Sequence, residues 1–233
     1  MQMIEGVLFD FDGVLVPVDL ELMRKLREEI IEEYYTRSPL TREQAIAHFD
    51  QALSKSTCDD PYLRFQDAAK QLGSFRREEV NELFHQISQE RKIKLENTIV
   101  NMLRRLKERG LILGIVSLSS KKRINGMLQN IGVKECFDFV ESASKEFLEA
   151  PSGCKKTAYR GFLDEYKFQA SEVLCVGDTP SIDLQPAKSL GMETVWVIHD
   201  FNRELVQESF ADHVLYRNTL CETLPSLILD ARD

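Results

Sequence analysis

Apolar residues fall in short continuous runs in some parts of this chain and at helical spacing in others, and the switch between the two divides it. Met3–Phe9 is a short run rich in Ile, Val, Leu and Phe, the texture of a buried strand. It stops at Asp10-Phe11-Asp12-Gly13, a turn-forming cluster. From Asp19 to Gln89 the spacing becomes helical. Leu22, Leu26 and Ile30 mark one helix face, and Thr41-Arg-Glu-Gln44 has the form of a capping box ahead of Ala45, Ile46 and Phe49. Asp60-Pro61 reads as a cap followed by proline at a first helical position, leading into Leu63–Leu72. Val80, Leu83, Phe84 and Ile87 predict a fourth helix.

After residue 96 helices and strands alternate. A helix over Thr98–Arg109 should stop at Gly110, followed by a strand over Leu111–Val116. Ile124, Leu128 and Ile131 predict a helix ended by Gly132, and Phe137–Val140 a short strand. Tyr159, Phe162, Leu163 and Tyr166 form another helical face. Val173–Val176 and Thr194–Ile198 read as strands separated by a helix ending at Gly191, with Val214–Leu215 as a final edge before a C-terminal helix. Such alternation implies right-handed βαβ units, hence an α/β fold with a parallel sheet and helices on both faces, three layers in all. The expected organisation is a core of residues 1–16 and 96–233, interrupted by an all-helical insert over 17–95.

Ligands of such sheets bind beyond the carboxyl ends of the strands, and the candidate chemistry lies there. Asp10 and Asp12 follow the first strand; Asp178 and Asp183 follow Val173–Val176 in Gly177-Asp178-Thr-Pro-Ser-Ile-Asp183. Two unit charges 4 Å apart repel by roughly 4 kcal/mol at an effective dielectric of about 20. Four converging carboxylates therefore call for a counter-cation, and oxygen-only donors without His or Cys beside them favour magnesium. Ser117 closes the strand Leu111–Val116, with Ser119 and Ser120 at the following helix start, where hydroxyls and N–H groups suit a phosphoryl oxygen. Lys155, or else Lys156, precedes the helix around Tyr159 and offers an ammonium to the same group.

Together, Asp10-Phe-Asp12-Gly-Val-Leu, Ser117 at a strand end, a lysine before a helix and Gly177-Asp178-x4-Asp183 resemble the haloacid dehalogenase superfamily over the whole chain. The resemblance implies a Rossmann-like core with an inserted helical cap that closes over a small phosphorylated metabolite. It also implies roles. Asp10 would attack phosphorus, and Asp12 would protonate the leaving oxygen and then activate water. Asp10, the Asp12 backbone carbonyl and Asp178 would hold magnesium, with Asp183 as ligand or support, and Ser117 and Lys155 would clamp the phosphoryl group. Since the dehalogenases of the superfamily carry a different residue at the Asp12 position, a magnesium-dependent phosphatase is the expectation. The alternatives are a sugar-phosphate phosphomutase and a catalytically silent relative that binds a phosphorylated ligand or a partner.

Composition narrows the partners. The chain has 233 residues, 43% hydrophobic and 29% charged, with a formal net charge of −8. An acidic balance argues against nucleic acid, and no apolar run approaches bilayer length. The five cysteines are scattered and odd in number, which argues against a disulfide scaffold or zinc site and for a reduced, cytoplasmic setting. A monomer or homodimer is expected. His48, His85, His199 and His213 lie on separate elements and suggest no metal site, Asp183 is also a candidate helix cap, and Arg37 and Arg42 read as loop arginines that either meet a second anionic group or are simply solvated.

Overall fold

The computed structural model of the chain describes residues 3–56, 61–73, 75–89, 96–143, 153–199 and 210–229. It divides into two compact units, one of Met1–Pro17 with Ile93–Asp233 and one of Val18–Lys92.

The Val18–Lys92 unit contains α1 (Leu20–Thr36), α2 (Arg42–Lys55), α3 (Pro61–Gln71) and α4 (Arg77–Gln89). Local signals fix their starts. The Asp19 carboxylate accepts the Leu22 N–H at the head of α1, and Thr41 and Gln44 form the reciprocal capping box of α2. The Asp60 cap lies outside the described residues. Leu26, Ile30 and Tyr34 repeat every four residues on α1 and pack with Phe49 of α2, Ala68 and Ala69 of α3 and Val80 of α4.

The other unit carries a six-stranded, wholly parallel sheet: β1 (Gly6–Phe9), β2 (Ile112–Ser117), β3 (Phe139–Ser142), β4 (Val173–Gly177), β5 (Glu193–Ile198) and β6 (His213–Tyr216), in the order β3-β2-β1-β4-β5-β6. Its helices are α5 (Asn97–Glu108), α6 (Lys121–Ile131), α7 (Lys156–Tyr166), the short α8 (Gln185–Lys188) and α9 (Leu220–Leu229). The four inner strands β2, β1, β4 and β5 are buried on both faces, the edge strands β3 and β6 less so, and the two-residue strand period sorts the side chains. Val7 and Phe9, Leu113 and Ile115, and Leu174 and Val176 face one layer, with Ile99, Leu103 and Leu106 of α5, Ile124 of α6 and Leu224 of α9. Leu8, Val116, Val173 and Cys175 face the opposite layer, against Tyr159 and Phe162 of α7. Each large side chain so buried contributes about 1.5–3 kcal/mol relative to an exposed one, before the entropy of ordering. The resulting three-layer α/β architecture is the Rossmann-like core expected.

Two expectations shift. The strand after α6 begins at Phe139, behind a tight turn over Lys134–Cys136. Between β4 and β5 the long helix reduces to a wide π-type turn over Pro180–Leu184 and the single turn α8, with Pro186 near its start. Proline cannot donate to a helical ladder, so it is confined to the first turn.

Strand order positions the site. β1 pairs with β2 on one side and β4 on the other, so the chain runs outward in opposite directions from the β1/β4 seam. That seam is the topological switch point, where loops part and leave a crevice.

Candidate active site

Asp10 is the first residue beyond β1, its N–H donating to the Val176 carbonyl of β4 at 2.9 Å. Its Oδ1 accepts the Phe11 N–H at 2.7 Å and lies 2.9 Å from Lys155 Nζ. The following turn is closed by the Phe11 carbonyl, which accepts from Leu15 and Val16. Gly13 sits in this turn at φ +85°, and a Cβ there would meet Asp178 Oδ2 at 2.1 Å. Only glycine allows both the left-handed backbone and the approach of the β4 carboxylate.

β4 supplies Asp178 and Asp183. Asp178 is buried, its Oδ2 2.7 Å from His199 Nε2, and its carbonyl accepts the Trp196 indole N–H at 3.0 Å. Asp183 is fully buried inside the wide turn rather than at a helix cap. Its Oδ2 accepts the N–H groups of Asp178 (3.1 Å) and Thr179 (2.9 Å), while its Oδ1 takes Lys155 Nζ at 2.5 Å. A Cβ on Gly177 would meet Asp183 Cβ at 2.3 Å, so glycine at the end of β4 is what lets the turn fold back on itself.

Lys155, just ahead of α7, has a side chain only 1% exposed and bridges Asp10 and Asp183. Lys156 begins α7 and is partly exposed. One ammonium faces three carboxylates, two of them buried and Asp10 partly so, because oxygens of Asp10, Asp178 and Asp183 lie within 4.8 Å of one another. The excess charge shows in their acidities. Burial raises Asp10 to about 7, with Lys155 opposing and Asp183 adding to the rise. Burial, then the charge of Asp10, pushes Asp178 well above the usual carboxylate range, and burial also raises Asp183 despite Lys155. Burial would lower Lys155, but Asp10 and Asp183 outweigh it and hold the ammonium charged. The sequence expectation of no histidine beside these carboxylates does not hold, because His199 adjoins Asp178, but three clustered carboxylates with one ammonium among them still offer the hard oxygen donors that suit magnesium.

Asp12 behaves differently. Its carboxylate points toward the segment after β2, where Arg123 Nη1 and Nη2 each donate at 2.8 Å, one to Oδ2 and one to Oδ1, and Ser119 Oγ donates to Oδ2 at 2.6 Å. Burial alone would raise this acid, but Arg123 and Ser119 win and hold it below its ordinary value. Ser117 is buried at the end of β2, its Oγ accepting the Ser119 N–H at 3.2 Å, and Ser120 caps α6.

The structure therefore brings Asp10, Asp178, Asp183 and Lys155 together, with Asp12 adjoining Asp10 in the turn. Two residues escaped the sequence reading. His199 does come to the site, as the first residue beyond β5, which adjoins β4. Arg123 carried a usable signal: Lys121, Lys122 and Arg123 put three cations in the first turn of α6, where the helix dipole disfavours them. Arg37 pairs with Glu33 and Glu79, and Arg42 with Glu32, all inside the helical unit. Burial pushes the Cys154 thiol up to about 11, which leaves it inert. Among the described residues Cys136, Cys154, Cys175 and Cys221 are free thiols, and no helix is long and apolar enough to cross a membrane.

Known proteins share this fold. A Thermococcus onnurineus HAD phosphatase superposes with a TM-score of 0.62 at 21% identity, covering 95% of this chain and 98% of that one. A Thermotoga maritima protein assigned as a beta-phosphoglucomutase gives 0.64 at 18%, covering 96% and 100%. The Bacillus subtilis HAD-type hydrolase YfnB, bound to magnesium, gives 0.64 at 18%, covering 97% and 99%. In sequence, a phosphoglycolate phosphatase of Synechococcus elongatus is 29% identical over 104 residues, which is 45% of this chain and 46% of that protein, so the match spans under half of the relative. The family model for haloacid dehalogenase-like hydrolases matches residues 7–197, from β1 into β5. The chain belongs to the haloacid dehalogenase-like hydrolases.

Proposed function

We propose that this hydrolase is a magnesium-dependent phosphatase of a small phosphorylated metabolite, with Asp10 as nucleophile. The observation that carries the reading is the state of Asp10. Both polar partners of its carboxylate among the described residues, the Phe11 N–H and Lys155, fall on Oδ1. That fixes the carboxylate and leaves Oδ2 to approach phosphorus. The P–O bond to the leaving group breaks as the Asp10–phosphorus bond forms, and the departing oxygen takes a proton from Asp12. Water then attacks the aspartyl-phosphate, its proton passes to Asp12, and the Asp10 carboxylate is restored as phosphate leaves.

Asp10, the Asp12 carbonyl and Asp178 are the groups that would hold magnesium. When bound, it would supply the positive charge that phosphoryl oxygens and these carboxylates require. Asp183 has both oxygens engaged and acts by holding Lys155 and the Asp178 backbone in place. Ser117 and Lys155 are the groups assigned to the phosphoryl oxygens. The helical unit, inserted directly after the Asp10–Val16 turn, is assigned to substrate selection as a cap. Magnesium in YfnB and the named activity of the Synechococcus relative support this reading. Phosphoglycolate is accordingly the first substrate to test.

The test is phosphate release from a panel of phosphorylated metabolites, with magnesium and with chelator, for the parent and Asp10→Asn. Magnesium-dependent release that falls at least ~1,000-fold in the variant is expected. Equal turnover by Asp10→Asn would remove the nucleophile, and sugar-phosphate interconversion without phosphate release would make the protein a mutase.

A further inference from the structure

Asp12 is the most open of the site carboxylates, with its side chain 43% exposed, yet it is firmly held. Torsion about the last bond of an aspartate is soft, so a carboxylate at the rim of a site ordinarily sweeps a broad arc. Here both oxygens are pinned. The Arg123 fork engages one oxygen with each terminal nitrogen, and the Ser119 hydroxyl adds a third donor. Arg123 is itself fixed. Its side chain is 17% exposed, its guanidinium carbon lies 5.7 Å from the centre of the Phe11 ring, and Nη1 also contacts Ser119 Oγ. A lysine at 123 would bring a point charge without the planar fork.

All three contacts are donors, so the arrangement accommodates Asp12 as an acceptor. In the first half-reaction Asp12 must carry a proton, and one of these contacts has to give way. In the second it must receive one, and the arrangement seen is the one that role requires. We propose that Arg123, supported by Ser119, is a positioning residue that aims the Asp12 carboxylate at the water that releases phosphate from Asp10. The segment after β2 thus serves the second half-reaction as well as phosphoryl binding. This rests on the reading of Asp12 as acid and base given above.

The step balances without a further reactant. One O–H bond of water breaks, its proton goes to Asp12, the water oxygen bonds to phosphorus, and the bond from phosphorus to the Asp10 oxygen breaks.

Rapid mixing of the magnesium-loaded protein with p-nitrophenyl phosphate separates the half-reactions, because nitrophenolate departs without needing a proton. Parent, Arg123→Gln, Arg123→Lys and Asp12→Ala are compared for burst rate, steady turnover and the fraction of Asp10 phosphorylated on acid quench. For Arg123→Gln we expect a burst rate within about 3-fold of the parent, turnover slowed by about 30-fold and accumulated phosphoenzyme, with partial recovery in Arg123→Lys. The burst itself reports a folded site.

Unchanged turnover overturns the proposal, as does a slowed turnover without phosphoenzyme or a rise confined to KM, which would make Arg123 a substrate contact. If Asp12→Ala loses turnover while Arg123→Gln does not, the positioning role alone is wrong. If Asp12→Ala turns over normally, the acid–base reading falls and takes the positioning role with it.

Discussion

The two units of this chain place their charges in opposite ways. In the helical unit the ion pairs are exposed, Arg24 with Glu21 and Glu28, and Arg42 with Glu32, while the interior is apolar and aromatic, with Phe49 edge-on to Phe65 at 5.7 Å. In the sheet unit the decisive charges are inside. Lys155 and Asp183 are each 1% exposed, and Asp10, Asp178 and Asp183 crowd one spot. Exposed pairs contribute little and break cheaply. A buried set commits every member, because removing one strands the others without water. The first unit is thus tolerant at its charges and sensitive in its core, whereas the second is also sensitive at its charges.

Lys155→Met sharpens that contrast most. It should cost about 3–5 kcal/mol in chelator, read by denaturant unfolding, because Asp10, Asp178 and Asp183 lose the ammonium that lies among them. Arg42→Met in the helical unit should leave the unfolding midpoint where it was, and equal losses would break the comparison.

Gly177→Ala comes next. Its new Cβ has no space beside Asp183, so a loss of roughly 1–3 kcal/mol is expected, together with weaker magnesium binding by calorimetry. A parent-like melt would show that the turn after β4 yields.

The third prediction concerns pH. Asp10 has a folded pKa of about 7 against an ordinary 3.8. With the folded value raised, its contribution to stability is fully present below 3.8 and is lost as pH climbs through 7. Magnesium binds the ionised form, so the rise in Tm on adding it should be larger at pH 8 than at pH 5. A shift independent of pH would show that these carboxylates do not receive the cation. Smallest is Thr41→Ala, about 1 kcal/mol through loss of the capping box, with hydrogen exchange rising in α2 while the sheet stays protected.

Much of this was legible in sequence because it depends on neighbours along the chain. The apolar run before Asp10, the Thr41–Gln44 box and the glycine stop at Gly132 are local signals, and the structure uses each of them. Convergence of Asp10 with Asp178 followed from both standing at the ends of strands in one parallel sheet. His199 was not legible, since its value depends on β5 lying beside β4, a pairing that no spacing encodes. Arg123 depends on the rotation of α6 about its axis, which brings one of three consecutive cations onto Asp12. The turn over Pro180–Leu184 misled in a different way. Asp183 before Pro186 has the pattern of a capped helix, but its side chain is drawn back to the Asp178 and Thr179 amides and to Lys155, and the helix is cut short.

The placement of the helical unit also bears on how the protein is made. β1 is the central strand, yet it is translated first and its two partners lie beyond residue 111 and residue 172. Val18–Lys92 can assemble from near neighbours while the emerging β1, apolar on both faces, waits. The seam between β1 and β4 closes only once most of the chain has left the ribosome, so the nucleophile and the carboxylates opposite it come together late in synthesis. A segment that must stay unpaired that long is where a chaperone would find its grip.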